Sequence, residues 1–560
     1  MGPMPKDLPT NDKALVEAAR RGEVWKAPGT PFPIPEHLAD PHFVRAMPAI
    51  RATTIRALCL GLWEGVAVDP KGVVICGARI DGMLDLSFGT ARSPLCLLHC
   101  HLADQLDILQ STLPFLNLSG SRLEAGLVGD RAQITGGLFC RAGFTATEAV
   151  RLLGADIGGI LDLSKASLSI ANRNGRVLAT DGATIKGGLH CMDLNAEGEV
   201  RLLGADIGGD LALIGASLDG GDGYALNATG AVIRGHVFCR DGFTVAGTTD
   251  FVRSHVDGVF DWRPKSWTGG LDMSHARVGP WRDGWTGDGW SCAEGERTLV
   301  MTDFVYDGFF EADDVHRDAL SRIAWIRAAL GEDYRPGPYE VLAGVLRRAG
   351  DDDGAKEVLR AKRQDQRRHQ RCLHQKSLPL GLAWLGPVRH AFSVLLDWTV
   401  GYGYRPWLGI PWLLSVLLFG WFLFSVHAPT TVGGSGVIKP SVPVTFMRDL
   451  DRHRLVPGPD GQAIKVPVNP DDRPQTHAVH YRLPTEYTPF NAFWYALDTL
   501  IPLIDLGQER AWSPSPFGTL RDDPVGWAVL GYLYVHILLG WTLSTLTVVA
   551  LTGLIKRDRE

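Results

Sequence analysis

The sequence predicts a multidomain fold in which a solenoid of stacked short strands precedes an α-helical hairpin and a two-helix transmembrane domain with a re-entrant loop. Three observations support this prediction. Glycine-rich phrases recur in the first half of the chain, apolar residues adopt helical spacing from about residue 312, and two long stretches near the end contain no Asp, Glu, Lys or Arg.

Composition excludes several classes of protein. Apolar residues make up 45% and charged residues 21% of the 560 residues, which excludes a disordered chain. A net charge of −6 gives no global basic field, so we do not expect a nucleic-acid partner. Nine scattered cysteines exclude a disulfide scaffold and indicate free thiols in a reducing compartment. The N-terminal residues lack the apolar core of a secretory signal, so we expect a cytoplasmic N-terminus.

These patterns divide the chain into eight predicted segments. They are an N-terminal helical cap (residues 1–70), the β-helix repeat domain (71–310), a helical hairpin connector (311–376), an amphipathic juxtamembrane helix (377–404), a first transmembrane helix (405–427), an extracytoplasmic loop (428–488), a pore-helix-like re-entrant segment (489–512) and a second transmembrane helix (525–555).

Internal repeats predict the solenoid. The decapeptide VRLLGADIGG occurs at residues 150–159 and again at 200–209, and a second phrase recurs as AQITGGLFC, ATIKGGLHC and AVIRGHVFC. Within a phrase, apolar residues alternate with a period of two, as at Ile157, Leu161 and Leu163, which is typical of strands. Stacked coils of such strands bury the aliphatic side chains in ladders.

The repeat region resembles the pentapeptide-repeat family, whose motif is A-(D/N)-L-x-x. The triplets Ala155-Asp156-Ile157 and Ala205-Asp206-Ile207 fit that motif. The region is also similar to the bactofilin type of β-helix, and the resemblance covers roughly residues 73–310. It implies a right-handed parallel β-helix and no chemistry.

The cysteines of the repeat allow two interpretations. Cys140, Cys191 and Cys239 recur at nearly constant offsets, which suggests either a metal or redox ladder or a set of core side chains. Alignment of GGLFC with GGILDL places Cys140 where Leu163 lies, so we expect the core position. The phrase CLLHCH at residues 96–101 has zinc-ligand residue types, but no second half with metal spacing follows it. We therefore expect no metal and no cofactor.

Helical spacing follows the repeat. Residues 338–350 and 353–364 form a helix–turn–helix pair that resembles one tetratricopeptide hairpin, and it acts either as a spacer or as a partner-binding element. Residues 378–404 contain Arg389, His390 and Asp397, so an amphipathic helix on the inner leaflet is favoured over a span.

Two stretches have the length and apolarity of membrane spans. They cover residues 406–426 and 525–555, with tryptophans and tyrosines near their ends. Basic residues concentrate at 356–376 and 556–559, on the outer flanks of the pair. Because cytoplasmic flanks are enriched in Lys and Arg, we expect a multi-pass protein of the inner (plasma) membrane with both termini in the cytoplasm. The alternative is a pair of buried helices in a soluble protein.

The stretch FNAFWYALDTLIPLIDLGQERAW at residues 490–512 predicts a short helix that Pro502 ends before the second span. This layout resembles the two-span pore domain of tetrameric cation channels, in which a pore helix precedes a filter loop. The residues that would correspond to the end of that helix and to the loop are Asp498, Thr499, Leu500, Pro502, Asp505 and Gly507.

The resemblance to channels has a clear departure. The potassium-filter sequence T-V-G-Y-G is absent, so potassium selectivity is not implied. If four copies met around an axis, Asp505 could form an acidic ring that attracts cations. Asp498 would be costly in lipid and should pair or face water. The alternative for this stretch is an interfacial helix that packs the two spans together.

The functional prediction is a membrane protein whose cytoplasmic β-helix senses or scaffolds and is coupled to a cation-channel-like pore domain. The lipid bilayer, further copies of the chain (four in a channel) and a protein bound to the β-helix or hairpin are its expected partners. Alternatives are a non-conducting, membrane-anchored scaffold and, because similar proteins often carry that label, a membrane-associated oxidoreductase. No P-loop, HExxH or GxSxG sequence occurs, and we expect no catalytic residues.

Overall fold

The computed structural model describes residues 2–5, 7–28, 35–170, 175–285, 297–310, 318–331, 334–375, 399, 406–429, 436–441, 453–457, 463–467, 487–515 and 524–552. The chain divides into two compact units, Met1–Gln375 and Lys376–Glu560. Apart from Thr399, the predicted juxtamembrane helix at 377–404 lies outside the described residues, as do Cys292 and the basic C-terminal residues.

Eleven α-helices occur among the described residues. They are α1 Thr10–Arg21, α2 Pro35–Leu38, α3 Pro41–Ala46, α4 Ala52–Leu60, α5 Ala319–Leu330, α6 Gly337–Arg348, α7 Asp352–Gln375, α8 Gly409–Val426, α9 Ala492–Leu500, α10 Gln508–Ala511 and α11 Pro524–Leu551. A 3₁₀ turn, Pro406–Leu408, precedes α8.

Strands dominate the first unit. They are β1 Trp25–Lys26, β2 Ala49–Arg51, β3 Val73–Cys76, β4 Arg79–Asp81, β5 Leu84–Asp85, β6 Leu95–Leu98, β7 His101–Leu102, β8 Leu106–Asp107, β9 Thr112–Leu113, β10 Leu116–Asn117, β11 Arg122–Leu123, β12 Leu127–Val128, β13 Gln133–Ile134, β14 Leu138–Phe139, β15 Thr145–Ala146, β16 Val150–Arg151, β17 Asp156–Ile157, β18 Leu161–Asp162, β19 Ser167–Ser169, β20 Arg176–Ala179, β21 Thr184–Ile185, β22 Leu189–His190, β23 Asn195–Glu197, β24 Glu199–Arg201, β25 Asp206–Ile207, β26 Leu211–Ala212, β27 Ser217–Asn227, β28 Val232–Ile233, β29 Val237–Cys239, β30 Thr244–Asp250, β31 His255–Val256, β32 Phe260–Trp262, β33 Ser266–Asp272, β34 Arg277–Asp283, β35 Arg297–Val300 and β36 Val305–Phe309. The second unit has β37 Ile438–Pro440, β38 His453–Pro457, β39 Ala463–Pro467 and β40 Trp512–Pro514.

The first unit is a parallel β-solenoid of about nine turns. In a typical turn four short strands follow one another, as β13 to β16 do, and each strand pairs in parallel with its counterpart in the turns before and after. The predicted stacking of short strands is therefore confirmed, whereas the right-handed coil stays a prediction.

Aliphatic ladders fill the solenoid. Ile134, Ile157, Ile185 and Ile207 stack in register through four successive turns, and each is buried. The strands of one coil pair with those of the next. The hydrogen bonds between coils satisfy the backbone N–H and C=O groups and also hold equivalent side chains directly above one another. The two-residue alternation read from the sequence is thus the inward and outward alternation of each strand.

The repeated decapeptide recurs at every second turn rather than at every turn. Between β17 and β25, which carry the two copies of GADIGG, lies β21, and the chain pairs in the order β17, β21, β25. The phrase that ends in Cys140, Cys191 or Cys239 occupies the alternate turns. The 50-residue period is therefore a two-turn unit, a point that the register decides.

The ladders change from aliphatic to aromatic toward the C-terminal end of the solenoid. Phe260 stacks on Trp281 with ring centroids 5.2 Å apart, and Trp281 lies 6.2 Å from Trp325 of α5. All three are fully buried. Aromatic side chains bury more area than Leu or Ile, so α5 closes the final turns with a large apolar contact.

A buried ion pair fixes α5 on the solenoid. The Arg322 guanidinium lies 3.0 Å from the Asp283 carboxylate, and both side chains are buried. Trp281 Nε1 donates to the same carboxylate at 2.7 Å, and the Arg322 guanidinium stacks 4.0 Å from the centre of the Phe309 ring. Removal of one partner would leave a buried charge without compensation, which typically costs about 3–5 kcal/mol.

The predicted helical hairpin corresponds to α6 and α7, joined by a turn at 349–351. Arg327 of α5 and Tyr339 of α6 both donate to Asp365 of α7, at 2.8 Å and 2.7 Å. Arg348 donates to the Asp307 carbonyl in the middle of β36. These contacts join α5, α6, α7 and the last coil in one body.

The N-terminal residues close the opposite end, partly with helices and partly with strands. The solenoid strands form two large sheets. β1 pairs with β3 in one and β2 pairs with β4 in the other, so the segment predicted as a helical cap also supplies the first strand of each sheet. The buried Asp12 carboxylate of α1 accepts hydrogen bonds from the Thr54 hydroxyl and from Arg51. Both ends of the solenoid are therefore covered.

Candidate functional site

The second unit is built on α8 and α11, which match the two predicted spans. Both are long and apolar enough to cross a membrane. Only 17% and 28% of the most apolar windows of the two helices is buried, whereas the core helix of a soluble protein is mostly buried. Bulky apolar side chains such as Leu418, Phe422 and Trp541 are exposed instead.

Glycines allow the helices to approach closely. A Cβ atom at Gly409 would collide with Thr547, and one at Gly420 would collide with the His536 ring. These two contacts place the start of α8 near the end of α11, so the helices are antiparallel. Small residues at contacts of this kind are typical of transmembrane helix packing.

The short helix α9 lies between α8 and α11. The Asn491 side chain caps its first turn by accepting from the N–H groups of Phe493 and Trp494, at 3.0 Å and 3.2 Å. The Tyr495 ring packs edge-on against Phe424 of α8 at 4.9 Å. The end of α9 meets α11 at Gly540, where a Cβ atom would collide with the Leu500 carbonyl oxygen.

A buried glutamine joins the two ends of the segment that contains α9. The Gln508 Nε2 atom donates to the Pro489 carbonyl at 3.0 Å, and its Oε1 atom accepts from the Asn491 N–H at 3.2 Å. We call residues 489–508 the helix–loop segment. It leaves from the region near the end of α8, reaches Gly540 near the middle of α11, and returns to its starting point.

The returning chain is anchored to the end of α8. Strand β40, which follows α10, pairs antiparallel with β37, and the Ile438 N–H donates to the His427 carbonyl just after α8. Trp512 Nε1 also donates to the Thr488 carbonyl at 2.9 Å. Both ends of the helix–loop segment therefore lie on the same side of the helical unit.

Asp498 shapes the loop that follows α9. It is 5% exposed, and its two oxygens accept backbone N–H groups from Leu506 at 2.6 Å and from Glu509 at 2.9 Å. Of the two predicted alternatives, pairing or facing water, the structure shows pairing, and the partners are main-chain amides. A carboxylate that accepts two amide bonds holds the loop more firmly than neutral groups do.

The other predicted residues have diverse surroundings. The Thr499 hydroxyl donates to the Tyr495 carbonyl at 2.8 Å and is buried, so it serves the helix itself. Pro502 lies in the turn closed by the Ile504 N–H and the Ile501 carbonyl. Gly507 has a φ of +73°, a conformation that favours glycine and that leads into α10.

Asp505 lies on the exposed side of the loop, next to the Arg510 side chain. Its carboxylate is 2.8 Å from the Arg510 guanidinium, and both side chains are largely exposed. It also accepts the Gly507 N–H at 3.1 Å. Leu503, nearby, is 85% exposed. The structure thus brings Asp498 and Asp505 onto opposite sides of one loop, the first buried and the second open.

Sequence reasoning missed His536. Its ring is fully buried where the three helices meet: Nε2 lies 3.0 Å from the Ala496 carbonyl oxygen and Nδ1 lies 3.1 Å from the Tyr532 hydroxyl. The available signal was a histidine inside an otherwise uncharged span, since ionisable residues in spans are rare and usually functional. Gln508 gave no comparable signal, because nothing in the local sequence marks its partners.

The three cysteines that recur with the repeat lie in the solenoid core, as predicted. Cys140, Cys191 and Cys239 are fully buried, and burial raises the pKa of each thiol. Burial also raises the pKa of Cys100, to about 12. Across the described ranges, no group of three or more His, Cys, Asp and Glu side chains has the arrangement of a metal site. The candidate functional site is the helical second unit, because buried polar side chains, Asp498, Gln508 and His536, lie there among apolar helices.

No known protein family, curated protein or solved structure matches this chain.

Proposed function

We propose that the protein is a multi-pass protein of the plasma membrane in which α8, the helix–loop segment and α11 form one subunit of an oligomeric cation-conducting pore, with the solenoid in the cytoplasm as a sensing or scaffolding domain. One observation carries this proposal. The chain between the two apolar helices makes an excursion to the middle of α11 and returns to the side from which it left.

The excursion fits a re-entrant element for a physical reason. Main-chain groups within a bilayer must be satisfied by protein or must line a water-filled cavity. In the helix–loop segment the Asn491 side chain accepts two of the first amides of α9, and Asp498 accepts two amides of the returning loop. The open side of that loop carries Asp505, and it would face the central axis if four copies assembled.

The pair Asp505–Arg510 bears on selectivity. In one copy the arginine partly neutralises the carboxylate, so the field at the axis would depend on where Arg510 lies in the assembly. A ring of carboxylates raises the local concentration of cations and lowers that of anions. The proposal therefore concerns preference for cations over anions and implies no preference for potassium.

Reconstitution into liposomes tests conduction. We expect the purified oligomer to pass small monovalent cations, and Asp505→Asn to lower the cation-to-chloride permeability ratio by roughly tenfold because the acidic ring is lost. Glu509→Gln is the matched control, since it removes an equal charge next to the loop and should change the ratio less. A monomer in detergent, or an oligomer without flux, would refute the pore.

A second candidate, a non-conducting membrane anchor for the solenoid, is favoured by a different observation. The tip of the helix–loop segment carries the apolar Leu503, 85% exposed, and the nearby acid is already paired with Arg510. An exposed apolar side chain of this kind suits contact with lipid as well as a position beside a water-filled axis. A monomeric, stably inserted protein without flux is the expected result under this alternative. The redox alternative receives no support from the buried thiols.

A further inference from the structure

We infer that the first unit binds a small aliphatic carboxylate in a cleft between its N-terminal helices and the outer face of the solenoid. The cleft has a volume of about 210 Å³, and its lining includes Leu38, Pro41, Val44, Arg45, His101 and Glu124. All of these residues belong to the first unit, so the inference goes beyond the proposed pore and does not depend on membrane insertion or on conduction.

The short helices α2 and α3 form one wall of the cleft. The Asp40 carboxylate caps α3, and Leu38 of α2 and Val44 of α3 belong to one small buried cluster. Leu38, Pro41 and Val44 all line the cleft. A hydrocarbon group placed against this wall would be removed from water, which is favourable.

The opposite wall is the outer face of β7 and β11. His101 takes the outward position that Arg79 and Arg122 take in the coils on either side, because the three residues are paired in register. It is nevertheless only 7% exposed where the cleft places α2 and α3 over it. Burial lowers the pKa of His101, so its ring adds no charge to the cleft at neutral pH.

Glu124 brings negative charge to the cleft but has no further capacity for donors. Arg122 donates to both of its oxygens, at 2.6 Å and 3.3 Å. His101 Nε2 lies 3.3 Å from Oε1, and the Thr147 hydroxyl donates to Oε2 at 2.9 Å. Four contacts of this kind use the lone pairs of a carboxylate. A ligand ammonium group would therefore find no acceptor here, which favours a simple acid over an amino acid.

Arg45 lies in the last turn of α3 and lacks a polar partner. No described residue forms a hydrogen bond or an ion pair with its guanidinium, whereas Arg51 nearby is paired with Asp12. Because Arg122 already balances Glu124, the cleft has an excess of one positive charge. The planar guanidinium matches a carboxylate in a bidentate arrangement, so the charge favours a ligand with one negative group.

Size and charge together define the ligand. Since a water molecule takes up about 30 Å³ of the liquid, the volume of the cleft corresponds to about seven waters. The branched acid isovalerate is of this size. Its carboxylate would bind Arg45 while its alkyl group lies against Leu38 and Val44. Inorganic phosphate could bind Arg45 but would leave the apolar wall in contact with water, so an acid with a hydrocarbon body is favoured.

Saturation-transfer NMR on the full-length protein in nanodiscs tests the inference. We expect isovalerate to bind with a Kd on the order of 1 mM, as suits a ligand of this size. Isovaleramide has the same shape without the charge, and it should bind about tenfold more weakly or worse. Equal affinity for the acid and the amide would overturn the inference, and this comparison needs no variant.

Two variants locate the site. Arg45→Gln should weaken isovalerate binding by about tenfold, because the ionic hydrogen bonds are lost. Arg20→Gln is the matched control: Arg20 lies in the last turn of α1 and is exposed like Arg45, but it is not part of the lining. Hydrogen exchange of the α3 amides shows whether Arg45→Gln keeps its fold. Equal losses in the two variants, or none in Arg45→Gln, would refute the site.

Two further ligands test the choice of a simple acid. Inorganic phosphate lacks the hydrocarbon body, and valine adds an ammonium group to the same carbon skeleton, so each should bind more weakly than isovalerate. Equal binding of phosphate would overturn the inference in favour of a general anion site, and equal binding of valine would contradict the saturation of Glu124. Acid binding without ion flux would refute the pore and leave this site intact, so the two proposals can fail separately.

Discussion

The solenoid and the helical second unit are stabilised in opposite ways. In the solenoid one contact is repeated many times: Ile157 stacks on Ile134 below and on Ile185 above. In the helical unit each important contact occurs once, such as Asp498 with the Leu506 and Glu509 amides, or His536 with Ala496.

This difference determines how well each region tolerates a single substitution. A repeat protein distributes its stability over nearest-neighbour interfaces, so a defect in one coil is shared with intact coils on either side. A helix pair that meets at one glycine has no second contact of the same kind to replace it. We therefore expect single substitutions to act locally in the solenoid and globally in the helical unit.

The largest expected effect is that of Gly540→Val. Its side chain would collide with the Leu500 carbonyl at the end of α9, so the helix–loop segment could not seat against α11. We expect the region 487–552 to lose its resistance to protease in membranes, with little change in the solenoid.

Gly531→Val is the matched control for that substitution. Gly531 lies in the same helix and the variant adds the same β-branched side chain, but no atom beyond the adjoining turns of that helix lies within 4 Å of the position of the new Cβ atom. Near-normal protease resistance is expected. If both variants behaved alike, helix propensity rather than close packing would explain the loss, and the contrast between the two regions would fail.

An intermediate effect is expected for Leu161→Ala in the solenoid. The side chain is fully buried in a ladder between Leu138 and Leu189, and a Leu→Ala change of this kind costs about 2–5 kcal/mol. Local exchange in the neighbouring coils should rise while the second unit keeps its protease resistance. Ile157→Val, in the adjacent ladder, should cost only about 0.5–1.5 kcal/mol. Unfolding of both units together would contradict the proposed locality.

The smallest effect concerns thiol reactivity. Burial raises the pKa of Cys140 and Cys191, so the reactive thiolate is scarce at pH 8 in the folded protein and increases only as pH rises toward the raised pKa. Among the seven cysteines whose burial the structure describes, Cys96, which is partly exposed, should be alkylated first, although burial raises its pKa too. Peptide mapping after iodoacetamide treatment checks the order, and denaturant should equalise it. Rapid labelling of Cys140 would contradict the stacked core.

The same contrast explains what the sequence could predict. Alternation at Ile157, Leu161 and Leu163 reports burial directly, because each strand repeats one inward position per two residues. Apolar length likewise predicts α8 and α11. The two-turn nature of the 50-residue repeat could not be read in this way, since alternate coils have the same pattern but different phrases, and only the pairing of β17 with β21 reveals it.

Contacts that occur only once, such as those of the helix–loop segment, produce no periodic pattern in the sequence. The layout of a short helix and a loop between two spans was predicted, and α9 begins and ends within two residues of the expected stretch. The amides that Asp498 accepts lie 8 and 11 residues away in an irregular loop, and Gln508 reaches back to Pro489. Such partners depend on tertiary folding, and one sequence without repetition gives no means to choose them. The family resemblance of the repeat likewise predicted a coil and no chemistry.

The two-turn repeat limits how the length of the solenoid can change when repeat units are gained or lost. Adjacent coils in a parallel sheet are about 4.8 Å apart, so insertion or loss of one 50-residue unit would change the length by close to 10 Å while every remaining rung keeps its partner. Because α5 at one end and the N-terminal segment at the other terminate the stack, the gene rather than self-assembly sets the number of coils. The length of the solenoid can therefore change only by whole 50-residue units if every remaining strand is to keep its partner.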